Sequence, residues 1–209
     1  VNEKPVQEST SDDILRPLMD KDLDAVVRMH MDEFGKDLSS MLGRSCLKSF
    51  FRQLLHSPGS ACLALEREGR VIGYICGSAS IHTMWTPGYI LKMLGYVILG
   101  IVRNPPALVA FLRGIPVHRY YNQLQTEDQG NGFSFAVLRE YRGEGLGKKL
   151  LVEWLRLMRK QGAGHVLLFT DAEEGVTSLY VKYGLTLVKS IKSLGRQYDF
   201  LWMDLSGVK

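Results

Sequence analysis

The sequence predicts a mixed α/β domain: a mostly antiparallel central sheet with helices on both faces. Three observations carry that expectation. Residues 133–154 read FSFAVLREYRGEGLGKKLLVEW, an apolar run that breaks at Arg139-Glu140, turns through three glycines and continues as an amphipathic helix. Upstream, the chain reads as strand, two helices, strand, strand; downstream, as strand, short helix and a closing hairpin. A strand–helix–strand unit favours parallel strands, so the strands on either side of the helix at 147–160 are expected to run parallel, against hairpins elsewhere.

Length and composition set the frame. A chain of 209 residues suits one domain, or one domain with a sizeable insertion, and is long enough to bury most of its apolar surface. Hydrophobic residues are 45% and charged residues 23%, the balance of an ordinary soluble globular chain. The net charge of +4 comes without a Lys/Arg block. That suits a pocket for an anionic cofactor and argues against a nucleic-acid partner, which would want a concentrated basic stripe. Cys46, Cys62 and Cys76 are widely spaced and odd in number, with no Cys-x-x-Cys and no His/Cys cluster, so neither a disulfide framework nor a metal site is expected. Buried free thiols and a cytoplasmic location are the expectation. No signal peptide opens the chain, and its first residue, Val1, reads as the start of a processed or trimmed chain.

Taken in order, residues 1–13 are polar and read as a flexible tail, leaving the domain to 14–209. Residues 14–18 form a short first strand. Asp20 or Asp22 caps a helix whose Leu23, Val26, Val27, Met29, His30 and Phe34 fall at helical spacing. Leu47, Phe50, Phe51, Leu54 and Leu55 mark a second helix, stopped by Ser57-Pro58-Gly59. Strands at 61–66 and 71–81 join as a hairpin through 67–70. The fourth strand, 133–137, runs into the glycine turn. The helix over 147–160 carries Leu150, Leu151, Trp154, Leu155 and Met158 on one face and stops at Gly162-Ala163-Gly164. A buried fifth strand at 165–170, an acidic loop at 171–175 and a short helix at 176–183 follow. A hairpin of 185–193 with 198–205, through Gly195, closes the chain.

Residues 83–122 stand outside that plan as an apolar helical insertion between the third and fourth strands. Over 88–102 the one charge is Lys92. Asn104-Pro105-Pro106 is a stop and a restart, because proline suits the first helical position. Residues 107–112 are apolar again, and Arg113-Gly114 is expected to end them. The continuous apolar part is shorter than the ~20 residues of a spanning helix. Three readings compete: a helical pair packed on the sheet as extra core or as a wall of the substrate cleft, a homodimer interface, or a hairpin over 88–112 that dips into a membrane surface, flanked by Lys92, Arg103, Arg113 and Arg119.

The glycine turn is an anion trap. Glycines let the backbone come close to a phosphate, and the first N–H groups of a helix have no internal partner. The helix dipole and Lys148-Lys149 add positive charge there. The spacing is neither the dinucleotide G-x-G-x-x-G nor the P-loop. It runs Arg142-x-x-Gly145-x-Gly147, then two residues and Leu150-Leu151, led in by Ala136-Val137 and Glu140-Tyr141-Arg142-Gly143. This stretch resembles the signature of the GNAT superfamily of acetyl-CoA-dependent N-acetyltransferases, whose strand, loop and helix hold the pyrophosphate of acetyl-CoA. Downstream, Leu179-Tyr180-Val181-Lys182-Tyr183-Gly184-Leu185 resembles the family's Y-x-x-x-G-F segment, with Leu185 where Phe is common. The resemblance covers the chain apart from the tail and the insertion.

The resemblance implies the acyl-CoA N-acyltransferase fold, with the fourth and fifth strands splayed to admit the cosubstrate, and direct transfer of an acetyl group from acetyl-CoA to a primary amine. It implies that Arg142, Gly143, Glu144, Gly145, Leu146, Gly147 and Lys148 form the pyrophosphate turn. Main-chain groups near Phe135, Ala136 and Val137 would hold the pantetheine arm and polarise the thioester carbonyl. Tyr180 is the implied general acid for the departing thiolate, whereas Tyr183, beside the helix-ending glycine, reads as packing. An ammonium has no lone pair, so a base is expected as well; Asp171 and Glu127 lead the candidates, ahead of Asp128, Glu173 and Glu174. The family's strand glutamate would fall near Leu168, which cannot serve, and its cofactor-binding asparagine is replaced here by Glu173. No covalent nucleophile is evident. His82 and His118 flank the insertion as acceptor-site candidates; Trp85, Tyr89, Tyr120 and Tyr121 read as acceptor lining or as core. Two other functions stay open: an acyltransferase for longer acyl chains or a lipid-linked or sugar amine at a membrane surface, and a non-catalytic CoA-binding interaction module. The acceptor, small molecule or peptide, is not written in these motifs.

Overall fold

The computed structural model describes residues 13–172 and 176–208. Strand β1 (Ile14–Pro17) leads through a 3-10 turn at Asp20–Asp22 into α1 (Leu23–Glu33), a short α2 (Leu38–Met41) and α3 (Arg44–His56). The hairpin β2 (Ser60–Arg67) and β3 (Arg70–Ser78) follows, then α4 (Pro87–Arg103) and α5 (Pro106–Gln123). Strand β4 (Gln129–Val137), α6 (Leu146–Lys160), β5 (His165–Asp171) and α7 (Val176–Lys182) precede the closing hairpin of β6 (Thr186–Ser193) and β7 (Arg196–Asp204). Seven strands form one sheet in the order β1-β2-β3-β4-β5-β7-β6. Its pairs are antiparallel except β4 with β5, which α6 connects. The mixed, mostly antiparallel architecture is the one the sequence predicts.

The sheet is covered on both faces. Helix α6 forms because Leu146, Leu150, Leu151, Trp154, Leu155 and Met158 share one stripe, and that stripe is buried against Leu63, Leu65, Ile72 and Ile75. Each such side chain taken fully out of water contributes about 1.5–3 kcal/mol. Trp154 is fully buried and donates its indole N–H to the Ala61 carbonyl at 3.0 Å, which registers α6 against β2. Leu150→Ala would open a cavity there at a cost of about 2–5 kcal/mol. On the opposite face, α1 and α3 pack Leu23, Val26, Val27, Leu47, Phe51 and Leu54 onto β2 and β3. Helix α5 continues that layer sideways, setting Val117 and Tyr121 on Leu167 and Phe200. All three cysteines are free and buried.

Four local expectations are corrected. Asp22 precedes α1 but does not cap it through its side chain; it accepts from the Met19 N–H and pairs with Arg16, which also holds Glu66. Asp13, placed in the tail by composition, accepts two hydrogen bonds from Arg67. Helix α5 does not stop at Arg113-Gly114; it runs through Gly114 and Pro116 to Gln123, because Val117 and Tyr121 on its far half are anchored in the core. Packing there outweighs the helix-breaking tendency of proline. Strand β4 begins at Gln129 rather than at Phe133, and its polar start is buried because Gln129 and Asn131 satisfy one another: Gln129 Nε2 donates to Asn131 Oδ1 at 2.8 Å.

Candidate active site

The sheet is divided at its centre. The parallel ladder between β4 and β5 holds only Gln129↔His165, Gly130↔Val166 and Asn131↔Leu167. Beyond it β4 follows β3 to Val137, and β5 follows β7 to Asp171. A register shift opposite Cys76 and Gly77 leaves Phe133 as an extra residue in β4, and such a bulge bends its strand. Residues 132–135 of β4 and 169–171 of β5 are in consequence half-exposed in mid-sheet. The Leu138 N–H donates to the Ile72 carbonyl at 2.9 Å. By antiparallel alternation, Ala136 therefore pairs with β3, while Phe135 and Val137 turn their main-chain groups to the open seam. Of the three strand residues singled out by sequence, two present backbone there and Ala136 does not.

The glycine turn closes one end of the seam. Gly143 and Gly145 have φ of +89° and +80°, a region that costs other residues roughly 1–2 kcal/mol. Gly145 is the N-cap of α6, and the first internal bond of that helix runs from the Lys149 N–H to the Gly145 carbonyl. The earlier N–H groups, over 143–148, find no backbone carbonyl among the described residues. At Gly147 a Cβ would sit 3.3 Å from the Phe135 ring, so α6 and β4 meet closely there.

Side chains around the turn brace it. Arg142 donates Nε–H to the Val137 carbonyl at 3.0 Å and pairs with Glu33 of α1 at 2.6 Å. Glu33 also takes Arg139 at 3.3 Å. Glu144 pairs with Arg67 at 2.7 Å, which neutralises a carboxylate in the turn, and Arg67 lies over the Tyr141 ring. Lys149 reaches the Asp13 carbonyl, leaving Lys148 exposed in the first turn of α6. Arg142 and Glu144 thus hold the turn's shape, and what the turn offers an anion is backbone.

Tyr180, on α7, is buried, and its ring centroid lies 6.3 Å from that of Phe135. Burial pushes its phenol above the ordinary value, so the group keeps its proton. The first turn of α7 is tied to β7 by Thr177, which donates to Asp199 Oδ2 at 2.7 Å. Asp199 also accepts from Ser190 at 2.6 Å and Gln197 at 3.2 Å. Burial alone would raise its pKa, but these donors win and hold the carboxyl below its usual range. Tyr183 packs at the edge of the α6 core.

The base candidates are scattered. Asp171 ends β5 at the open end of the seam, half-buried, with Arg196 at 3.1 Å; Arg196 also meets Asp37 at 3.3 Å. Glu127 lies exposed in the turn before β4, at the paired end, with the length of β4 between it and the glycine turn. That position removes it from the seam. Asp128 is exposed at the same end. Glu173 and Glu174 lie outside the described residues. His82 is exposed, and His118 sits edge-on to Phe169. Tyr121 belongs to the Asn131 cluster, Tyr120 packs on Phe200, and Tyr89 is buried beside Trp85.

One group escapes sequence reasoning. His30 Nδ1 lies 3.1 Å from the Tyr74 hydroxyl and 2.9 Å from Ser134 Oγ, with Nε2 3.1 Å from Ser39 Oγ. Tyr74 and Ser134 are 2.7 Å apart. Burial lowers the imidazole pKa to about 4, so it is uncharged at neutral pH. The cluster fixes Ser134, a half-exposed residue of the opened part of β4, against α1. Helical spacing shows His30 only as one more inward residue. Among the described residues no group of three His, Cys, Asp or Glu side chains is placed to hold a metal ion.

A model of the acetyltransferase (GNAT) family matches residues 23–185. No curated protein sequence matches the chain. Solved structures with the same fold include an N-acetyltransferase from Staphylococcus aureus Mu50, with a TM-score of 0.61 at 16% identity, over 94% of this chain and 100% of that one. The ribosomal-protein-alanine N-acetyltransferase of Brucella melitensis gives 0.59 at 17% identity, over 91% and 99%. A structure of yncA from Salmonella typhimurium, solved with its cofactor acetyl-CoA, gives 0.56 at 17% identity, over 94% and 95%.

Proposed function

The chain belongs to the acetyltransferase (GNAT) family, and on that premise we propose that it moves an acetyl group directly from acetyl-CoA to a primary amine. The observation that carries the reading is the opened seam: bare strand backbone at Phe135, Tyr180 on its rim and the glycine turn at its end. Acetyl-CoA supplies the acyl group as a thioester, already activated towards amines. Backbone N–H groups over 143–148 bind its pyrophosphate, aided by the α6 dipole and Lys148. Main-chain groups of Phe135 and the Val137 N–H align the pantetheine arm, and a strand N–H donates to the thioester carbonyl oxygen, where charge grows as the amine attacks. Tyr180 gives its phenolic proton to the departing sulfur. Asp171, oriented by Arg196, faces the acceptor amine and takes its proton. Glu127 has no part in this scheme, because it stands at the far end of β4.

The test is release of CoA thiol from acetyl-CoA across a panel of amino sugars, amino acids, peptides and polyamines, run beside calorimetric titration with acetyl-CoA. Binding together with transfer to some amine supports the reading. Binding without transfer assigns the chain to a CoA-binding module, and absence of binding overturns the cosubstrate itself.

A further inference from the structure

The segment between β3 and β4 exposes an apolar surface that the proposed chemistry does not use. On α4, Leu91, Leu94, Ile98 and Val102 recur at three- and four-residue steps and are 71%, 52%, 57% and 72% exposed. They form one stripe, because α4 turns Tyr89 and Gly100 inward instead. On α5, Leu108, Leu112 and Ile115 form a second stripe, which Arg119 continues, while Ala107, Val117 and Tyr121 are buried. At the β6–β7 turn, Leu194 is exposed and its carbonyl accepts from Arg113 Nε at 3.3 Å, so the surface extends towards the end of the sheet that carries Asp171 and Arg196.

Charge decides what covers it. From Val71 to Thr126 the chain has no Asp or Glu, yet it holds Lys92, Arg103, Arg113 and Arg119. Lys92 and Arg103 lie eleven positions apart, about three helical turns, on one flank of the α4 stripe. Lys92 also opens onto a groove of about 450 Å³ against α3, lined by Lys48, Arg52, His56 and Tyr96 among others. Asp24 pairs with Lys48, and Asp20 with Arg52 and His56, so Lys92 adds charge that no lining carboxylate offsets. A second copy of the chain laid on this face would bring like charges together without an acid to meet them. An anionic lipid surface meets both the bases and the apolar stripes. No described helix is long and apolar enough to cross a membrane.

We propose that the α4–α5 hairpin docks the protein flat on an anionic lipid surface, with the Leu and Ile stripes at the acyl boundary and Lys92, Arg103 and Arg119 among the headgroups. On the acetyl-transfer reading above, docking so oriented holds the Asp171 end of the seam near the headgroup layer.

Flotation of the whole chain with vesicles tests this, with no readout of acetyl transfer. Phosphatidylcholine vesicles containing phosphatidylglycerol should carry the wild type; pure phosphatidylcholine should carry far less. Leu94→Glu with Ile98→Glu should cut partitioning at least about tenfold. Lys92→Gln with Arg103→Gln should cost roughly fivefold per charge on the anionic vesicles alone. All four side chains are exposed, so the variants should keep the wild-type melting temperature. A wild type that stays off phosphatidylglycerol vesicles, or charge and apolar variants that float like it, overturns the proposal. So does a dimer in solution that the Leu94/Ile98 variant dissolves, which would give the face to a second copy.

Discussion

The Tyr180 ring on α7 stands 6.3 Å from the Phe135 ring on β4, across the line where β4 and β5 part. One residue presents strand backbone to the seam, and the other brings a phenol whose proton burial retains. Removing only the hydroxyl separates reaction from binding. Tyr180→Phe keeps the ring packing and should lower turnover about a hundredfold or more, while acetyl-CoA affinity stays nearly unchanged. Steady-state kinetics beside calorimetric titration would decide; turnover that does not fall would sink the acid role.

Gly145 offers the matching test of the turn. At φ +80° an alanine is strained, although nothing lies within 4 Å of its Cβ. The cost is therefore conformational, about 1–2 kcal/mol. Gly145→Ala should lower the urea midpoint accordingly and raise the Kd for acetyl-CoA. Gly145→Asn, a residue that visits this region more readily, should do both to a lesser degree. An alanine variant that binds acetyl-CoA as the wild type does would remove the turn amides from the binding account.

These two positions also mark what the sequence could and could not disclose. The turn was legible because only glycine fits a positive φ cheaply, so its shape is written in consecutive letters. The Tyr180 motif was legible by its place after the fifth strand. The Arg196–Asp171 and Arg196–Asp37 pairs and the His30–Ser134 contact join residues 25, 159 and 104 positions apart, and no local pattern encodes them. The place of Glu127 is hidden for the same reason: it is near β4 in sequence, but at the closed end of the seam. Pro116 inside α5 shows the converse, where a strong local breaker yields to Val117 and Tyr121 anchored in the core.

Asp199 tests whether α7 must be held in place. Thr177 donates to it from the first turn of α7, and Ser190 from β6. Thr177→Val removes one bond to a charged acceptor, worth about 1.5–3 kcal/mol, and frees the helix that carries Tyr180. Turnover should fall while acetyl-CoA KM changes little, and amide hydrogen exchange in α7 should quicken. Unchanged exchange together with unchanged turnover would leave the Thr177–Asp199 bond without a positioning role.

His30 predicts the pH response of the fold. Its folded pKa of about 4 lies below the ordinary 6.5, because burial disfavours the cation. Between those values the unfolded chain binds a proton that the native state does not, so stability must fall as pH falls. The slope approaches about 1.4 kcal/mol per pH unit, and the full loss by pH 4 is about 3 kcal/mol. Beyond about pH 7.5 this group contributes almost no slope. Asp22 and Asp199, whose pKa values are depressed, act in a separate window: stability is lost as pH drops below the ordinary carboxylate range. Urea unfolding of the wild type should show a falling midpoint from pH 6.5 to 4.5. His30→Gln, less stable at neutral pH through its altered contacts with Tyr74, Ser134 and Ser39, should show a much flatter profile over that interval. If wild type and variant decline in parallel, the imidazole is not the group that titrates.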